Sequence, residues 1–239
     1  MSHEHAHPVS PGAGATGYVR YMRTDVLLSL QRSADEWVHP DELLFQATHQ
    51  AHELFLKAAS HSLARAVTQM DGHRPMAAQL LVDRATLTLR LLTDQLQLLR
   101  TISPADFHTI RTALGHGSGV ESPGWQEFRL RARTANTAFL SLLDTAAIDL
   151  RQLYQGDPTV PLYRLAEALV SLDESVSRWR ADHYALAVRL LGHNARGTQQ
   201  TPVEALARPV SHRFFPRLWA LRALLTATPP RVESGEGDL

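Results

Sequence analysis

The run Asp41-Glu42-Leu43-Leu44-Phe45-Gln46-Ala47-Thr48-His49-Gln50-Ala51-His52-Glu53-Leu54-Phe55-Leu56-Lys57 is an apolar helix pattern that carries an imidazole, His49, where a core would normally want a hydrophobe. Helical spacing puts Phe45, His49 and Glu53 on one stripe, so an aromatic ring, an imidazole and a carboxylate follow one another a turn apart. Outward from this run the spacing of Leu, Ala and Val stays helical almost everywhere. β-Branched runs are scarce and no Asn-Gly hairpin signal appears, which makes the class all-α. The pattern predicts helices near 24–32, 41–70, 76–101, 104–114, 123–152, 161–191 and 213–227. Ser103-Pro104-Ala105-Asp106 supplies an N-cap serine, a proline at the first helical position and an acid in the first turn, and Pro123 and Pro161 can play the same proline role. Long helices on short links predict a bundle of antiparallel neighbours.

Residues 1–17 and about 228–239 lack periodicity and read as disordered tails around a single helical domain, 18–227. His3, His5 and His7 fall in the first tail, where a solvated reading outweighs a metal grip. Across 239 residues, 24 basic side chains balance 24 acidic ones, so no net field draws nucleic acid or anionic lipid. Cysteine is absent, which removes disulfides, thiolate metal sites and a cysteine nucleophile and fits a cytoplasmic address. No apolar run reaches membrane-spanning length and the start lacks signal-peptide order, so no membrane partner is expected.

The zincin pattern His-Glu-x-x-His does not occur. Glu-x-x-His appears only in the tail (Glu4, His7) and just before Pro40 (Glu36, His39), and hydrolase elbows, Walker loops and dinucleotide fingerprints are missing. Two histidines stand out inside long amphipathic helices, His49 and His183. A lone helical imidazole more often packs than ligates. As a pair in a cysteine-free bundle, the two allow one imidazole to hold an iron porphyrin while the other faces the open side. The glycine-rich run from Gly115 to Gly124 permits either close approach to a ligand or a tight corner.

The ordered set Tyr18-x-x-Tyr21, Asp25-Val26-Leu27-Leu28, Asp41-Glu42-Leu43-Leu44-Phe45, His49-Gln50-x-x-Glu53-Leu54 and Lys57 resembles the N-terminal half of tryptophan 2,3-dioxygenases. Arg180-x-x-His183, Val188-x-x-Leu191-Gly192 and Gly197-Thr198 resemble that family's haem-ligand helix and the loop after it, and Ala113-Leu114-Gly115, Ser118-Gly119 and Ser122 its central Ser-Gly loop. The resemblance implies a b-type haem with His183 as the axial iron ligand, His49 as the distal imidazole that meets the indole N–H, and Phe45 lining the same pocket. It also implies that Tyr18 and Tyr21 reach the site of a neighbouring subunit in a homo-oligomer, dimer or tetramer, and that Thr198 contacts the substrate's ammonium and carboxylate. Three departures lie at the substrate end. Gln126, preceded by Trp125, stands where the family has a carboxylate-clamping arginine, with Arg129 nearly one turn further on. Phe55 replaces a usual tryptophan, and Gln199-Gln200-Thr201-Pro202 replaces a glycine- and serine-rich segment. The expected function is O2-dependent oxygenation of a small aromatic substrate, tryptophan or a related indole, by 2,3-dioxygenase-type cleavage. The alternatives are one-atom transfer, as in relatives in secondary metabolism that make oxindole or hydroxylated products, and a non-catalytic haem or gas-binding module.

Overall fold

The computed structural model describes residues 16–115, 117, 119–197 and 200–227, and these form helices and short 3-10 turns joined by irregular links, as the all-α reading requires. The proposed tails, apart from Thr16 and Gly17, lie outside the described residues, as do Thr198 and Ser118 of the site motifs. In chain order the helices are α1 (Gly17–Met22), α2 (Thr24–Leu27), α3 (Glu42–Asp71), α4 (Pro75–Leu99), α5 (Pro104–Leu114), α6 (Pro123–Thr145), α7 (Leu150–Gln155), α8 (Pro161–Leu191) and α9 (Pro216–Ala227).

Local chemistry explains most boundaries. Ser103 Oγ accepts the Asp106 N–H at 3.1 Å and donates to its carboxylate at 2.6 Å, with Pro104 opening α5 as expected. Glu42 opens α3 with a buried carboxylate that accepts from Val38 N at 2.9 Å, Arg32 at 3.0 Å and Gln46 at 3.1 Å. Burial alone would raise that carboxyl; these three donors more than offset it and leave its pKa below the ordinary value. α3 ends where Arg74 N reaches Gln69 O and His73 N reaches Met70 O, with His73 at φ 55°.

Two expected helices are broken. Instead of one helix over 24–32, α1 and α2 meet at Arg23, whose φ of 54° turns the chain, and the chain from Leu28 to Asp41 is irregular. Instead of 123–152, α6 stops at Thr145. Ile148 N bonds Leu143 O and Ala147 N bonds Asp144 O around Ala147 at φ 52°, after which Asp149 Oδ1 caps α7 through Arg151 N and Gln152 N. An alanine in the left-handed region gives no breaker signal in sequence. The last helix begins at Pro216 because the backbone N–H groups of Phe214 and Phe215, just before it, turn to a buried acid on α8.

α4 lies between α3 and α8, and α6 packs on the other flank of α3. Consecutive α3 and α4 run antiparallel as expected. The α3–α6 and α4–α8 neighbours run parallel: the first turn of α6 meets α3 at Glu53 and Leu56, and the last turns of α4 and α8 share the cluster of Leu96, Leu99, Leu186 and Leu190. The links through α5 and α7 return the chain for these pairings. Ser122 Oγ donates to Glu53 Oε1 at 2.5 Å and Gly124 N to Glu53 Oε2 at 2.8 Å, fastening the start of α6 to α3. A Cβ on Gly124 would stand 2.6 Å from Glu53 Oε2 and 2.9 Å from Leu56 Cβ. The leucine Cβ cannot swing away, so Gly124→Ala is expected to cost ~1–3 kcal/mol by urea unfolding; an unchanged midpoint would show that α6 can shift freely.

Candidate active site

The main core, with Leu56, Leu63, Leu89, Leu165, Phe128 and Phe139 fully buried, fills the bundle. A second cluster gathers the C-terminal turns of α4 and α8 with Ile102 and Ile110, and Leu44, Phe45, Phe107 and Trp179 pack on it. Trp179 touches both clusters, and the two sequence-selected histidines come together beside it.

Phe45 and His49, one turn apart on α3, have ring centroids 4.2 Å apart, and Phe107 of α5 lies 6.0 Å from Phe45. From α8, His183 stacks on Trp179 with centroids 4.9 Å apart and planes 7° from parallel. Trp125 at the start of α6 meets Trp179 at 4.3 Å, so α3, α5, α6 and α8 all send rings to one end of the bundle. The pair works electrostatically as well as sterically. Burial pushes His183 from 6.5 down to about 4, and His49 and His52 add to that depression.

His49 Nδ1 lies 2.7 Å from the Phe45 carbonyl, which can only accept, so Nδ1 carries the proton and Nε2 keeps its lone pair. The ring reaches solvent, yet the protein crowds it enough that desolvation lowers its pKa. His52 adds to this effect, while the bond to Phe45 and the Glu53 charge oppose it. Both imidazoles are therefore neutral at pH 7. The folded chain binds these two protons more weakly than the unfolded chain, so their contribution to stability is complete above pH 6.5. It is lost as pH falls toward about 4, with the buried Asp173 carboxyl, raised by burial, acting in the opposite sense. Ligand-free protein should show a falling urea midpoint across that window, steeper than that of a His183→Ala variant; equal slopes would remove His183 as a cause.

Sequence reasoning singled out neither His52 nor Trp179. His52 is buried with Nδ1 2.9 Å from Thr48 O and Nε2 3.0 Å from Leu92 O, tying α3 to α4 beneath His49. Trp179 was legible only as the residue one turn before His183. Glu53, on the Phe45–His49 stripe, is spent on holding α6. Gln126 is exposed and its amide donates to Glu121 O, 3.4 Å away in the turn before its own helix. Arg129 is half-buried near Arg180, whose guanidinium is pushed below its ordinary pKa by burial and by Arg129 and Arg213, against the pull of Asp173. Tyr18 and Tyr21 are 65% and 87% exposed and make no ring contact among the described residues. A cavity of about 430 Å³ opens beside Phe45, lined by Arg32, Glu42, Gln46, Ile110, Ala113 and Leu114.

An all-α bundle that sets two neutral imidazoles within an aromatic cluster at one end has the makings of a helical ligand- or cofactor-binding enzyme. The profile of the family described as Tryptophan 2,3-dioxygenase matches residues 1–138. The chain is 27% identical to a protein of that name from Bacillus anthracis, covering 87% of this chain and 92% of the relative. It is also 27% identical to one from Myxococcus xanthus, over 92% and 93%, and 28% identical to one from Caulobacter vibrioides, over 87% and 98%. The chain belongs to the tryptophan 2,3-dioxygenase family, as a divergent member, and is an oxygenase of that kind. No helix among the described residues is long and apolar enough to cross a membrane.

Proposed function

We propose that the chain binds a b-type haem through His183 and uses O2 to oxygenate the indole ring of tryptophan or a close aromatic relative. Both oxygen atoms then enter across the C2–C3 bond to give an N-formylkynurenine-type product. The observation that carries this reading is the pairing of a neutral His183 with a His49 whose Nε2 lone pair is left open, both within one aromatic cluster. The donor set fits the cofactor. Iron takes a neutral imidazole, and the buried Nε1 of Trp179, stacked on His183, has no hydrogen-bond partner among the described residues and can serve an acceptor brought by a bound group. Haem, when bound, supplies the coordination and activation of O2.

The remaining tasks fall to this chain's own residues. His49 Nε2 accepts the indole N–H, and its bond to Phe45 O keeps that tautomer in place. Phe45 and Phe107 form an apolar wall for a flat ring. Under this reading Tyr18 and Tyr21, which have no ring contact among the described residues, complete the pocket of a neighbouring copy, and Thr198 meets the ammonium and carboxylate. A neutral amide at 126 cannot make the bidentate ion pair an arginine makes with a carboxylate. Selectivity for tryptophan over tryptamine is accordingly expected to be weak, and Gln126→Arg should raise it; strong selectivity in the parent chain would place another cation, such as Arg129, at the carboxylate.

Haem-reconstituted protein, reduced and then given isotopically labelled O2 and L-tryptophan, tests the proposal by product mass. Two labelled atoms support it. One labelled atom makes the chain a monooxygenase, and bound haem without turnover makes it a binding module. His49→Ala is expected to retain haem and to lose on the order of 10²-fold in kcat/KM; unaltered kinetics would end the distal role of His49.

A further inference from the structure

We propose that His52 is a positioning residue for the distal imidazole: it is held doubly protonated between two backbone carbonyls, and its fixed positive charge keeps a second proton off His49. The three histidines gathered at this end of the bundle differ in what their ring nitrogens meet. No protein group bonds the ring nitrogens of His183 among the described residues. His49 has one carbonyl, Phe45 O, 2.7 Å from Nδ1. His52 has two, Thr48 O at 2.9 Å from Nδ1 and Leu92 O at 3.0 Å from Nε2. A carbonyl oxygen can only accept, and a neutral imidazole has a single N–H. In either neutral tautomer of His52, one ring lone pair would therefore face a carbonyl oxygen at hydrogen-bonding distance. The residue is 7% exposed, which leaves that nitrogen little access to water as another partner. Neither carbonyl can turn away, because Thr48 O belongs to the backbone of α3 and Leu92 O to that of α4. With both nitrogens protonated, both contacts become charge-assisted hydrogen bonds, which offset the cost of burying the charge.

The charge lies where the site feels it. The rings of His52 and His49 have centroids 6.3 Å apart. A positive charge at such a distance makes a second one on His49 roughly 10-fold harder to add. The bond to Phe45 O fixes which nitrogen of His49 carries its one proton, and the charge on His52 denies it another, so Nε2 stays an acceptor. Other charged groups do not cancel this. Glu53, next in the chain, pulls the other way on His49, but its carboxylate is held by Ser122 and Gly124 of α6. From α8 the neighbours are Trp179, T-shaped to His52 at 6.5 Å, and the neutral His183. α4 faces His52 with the Leu92 carbonyl, while its Asp94 is exposed. That Nε2 of His49 accepts the indole N–H rests on the proposed function; the charge on His52 stands on the carbonyl geometry alone.

Nitrogen NMR of the full-length, ligand-free chain with isotopically labelled histidines tests it. At pH 7 both ring nitrogens of His52, assigned through the contact of its ring with Trp179, should resonate as protonated nitrogens, whereas His49 should show one protonated and one bare nitrogen. A bare nitrogen on His52 would overturn the proposal in the parent chain, with no variant needed. His52→Gln keeps one donor for the carbonyls and loses the charge. In it His49 should take up its second proton at roughly 10-fold lower proton concentration, about one pH unit higher. His52→Lys retains the charge and should bring the His49 titration back toward that of the parent. A His49 titration that is the same in the parent and His52→Gln, or one that Lys fails to bring back, would end the positioning role. None of these readouts involves haem, O2 or tryptophan, so the product-mass experiment can fail while this one succeeds, and the reverse.

Discussion

His183→Ala is expected to yield a folded protein that no longer takes up stoichiometric haem and whose oxygenation of tryptophan falls by roughly 10³-fold or more. The imidazole is held flat against Trp179, half-buried, and no protein group bonds its ring nitrogens among the described residues. Its removal therefore breaks no internal hydrogen bond, and helix content and unfolding midpoint should change little. That combination separates a ligand from a packed histidine, because truncating a merely structural ring would lower the midpoint while leaving any haem absorbance in place. Added free imidazole should restore part of the absorbance band. A variant that keeps the parent spectrum would remove His183 from the iron.

Asp173→Ala is expected to be the most destabilising single change in the chain, by ~3–5 kcal/mol in chemical unfolding. Asp173 is buried on α8 and accepts from Phe214 N at 2.8 Å, Phe215 N at 3.1 Å and Trp219 Nε1 at 3.0 Å, two donors from the segment that leads into α9 and one from its first turn. One and two turns further along α8, Ser177 accepts from Arg213 at 2.7 Å, and Arg180 donates to Pro209 O at 2.8 Å and His212 O at 3.1 Å. Arg213 also lies over the Trp219 ring and Arg180 over that of Phe214. These contacts strap the chain after α8 back onto that helix. Alanine would leave three buried donors without an acceptor. Asparagine keeps one carbonyl oxygen and should cost roughly half as much, and equal midpoints for parent and Ala variant would show that the strap contributes nothing.

Some of this architecture was legible because its causes are local. The Ser103-Pro104 start, the proline starts of α6 and α8 and the extents of α3, α4 and α8 follow from capping chemistry and apolar period, and the structure keeps them within a residue or two. The breaks at Arg23 and Ala147 were not legible. Both residues sit at positive φ without being glycine, held by hydrogen bonds that form only once the neighbouring turn exists.

At the site, His49, His183 and Phe45 could be selected from sequence because an imidazole on an apolar stripe breaks the pattern around it. His52, Trp179 and Phe107 could not, since Trp and Phe on a buried face look like core. Glu53 was conspicuous for its place on the His49 stripe, but Gly124 lets α6 come close enough to claim its carboxylate.

The sequence by itself determined the helical class and the pair of candidate imidazoles, because period, caps and residue type are written along the chain. Tertiary structure alone decided that α3 and α8 meet at one end, so that His49 and His52 add to the depression of His183's charged form. It also decided that the Gln126 amide turns to Glu121 and that the chain beyond α8 is strapped down by Asp173. These depend on contacts between residues far apart in the chain, whose cost in lost chain entropy is met only when the whole bundle packs.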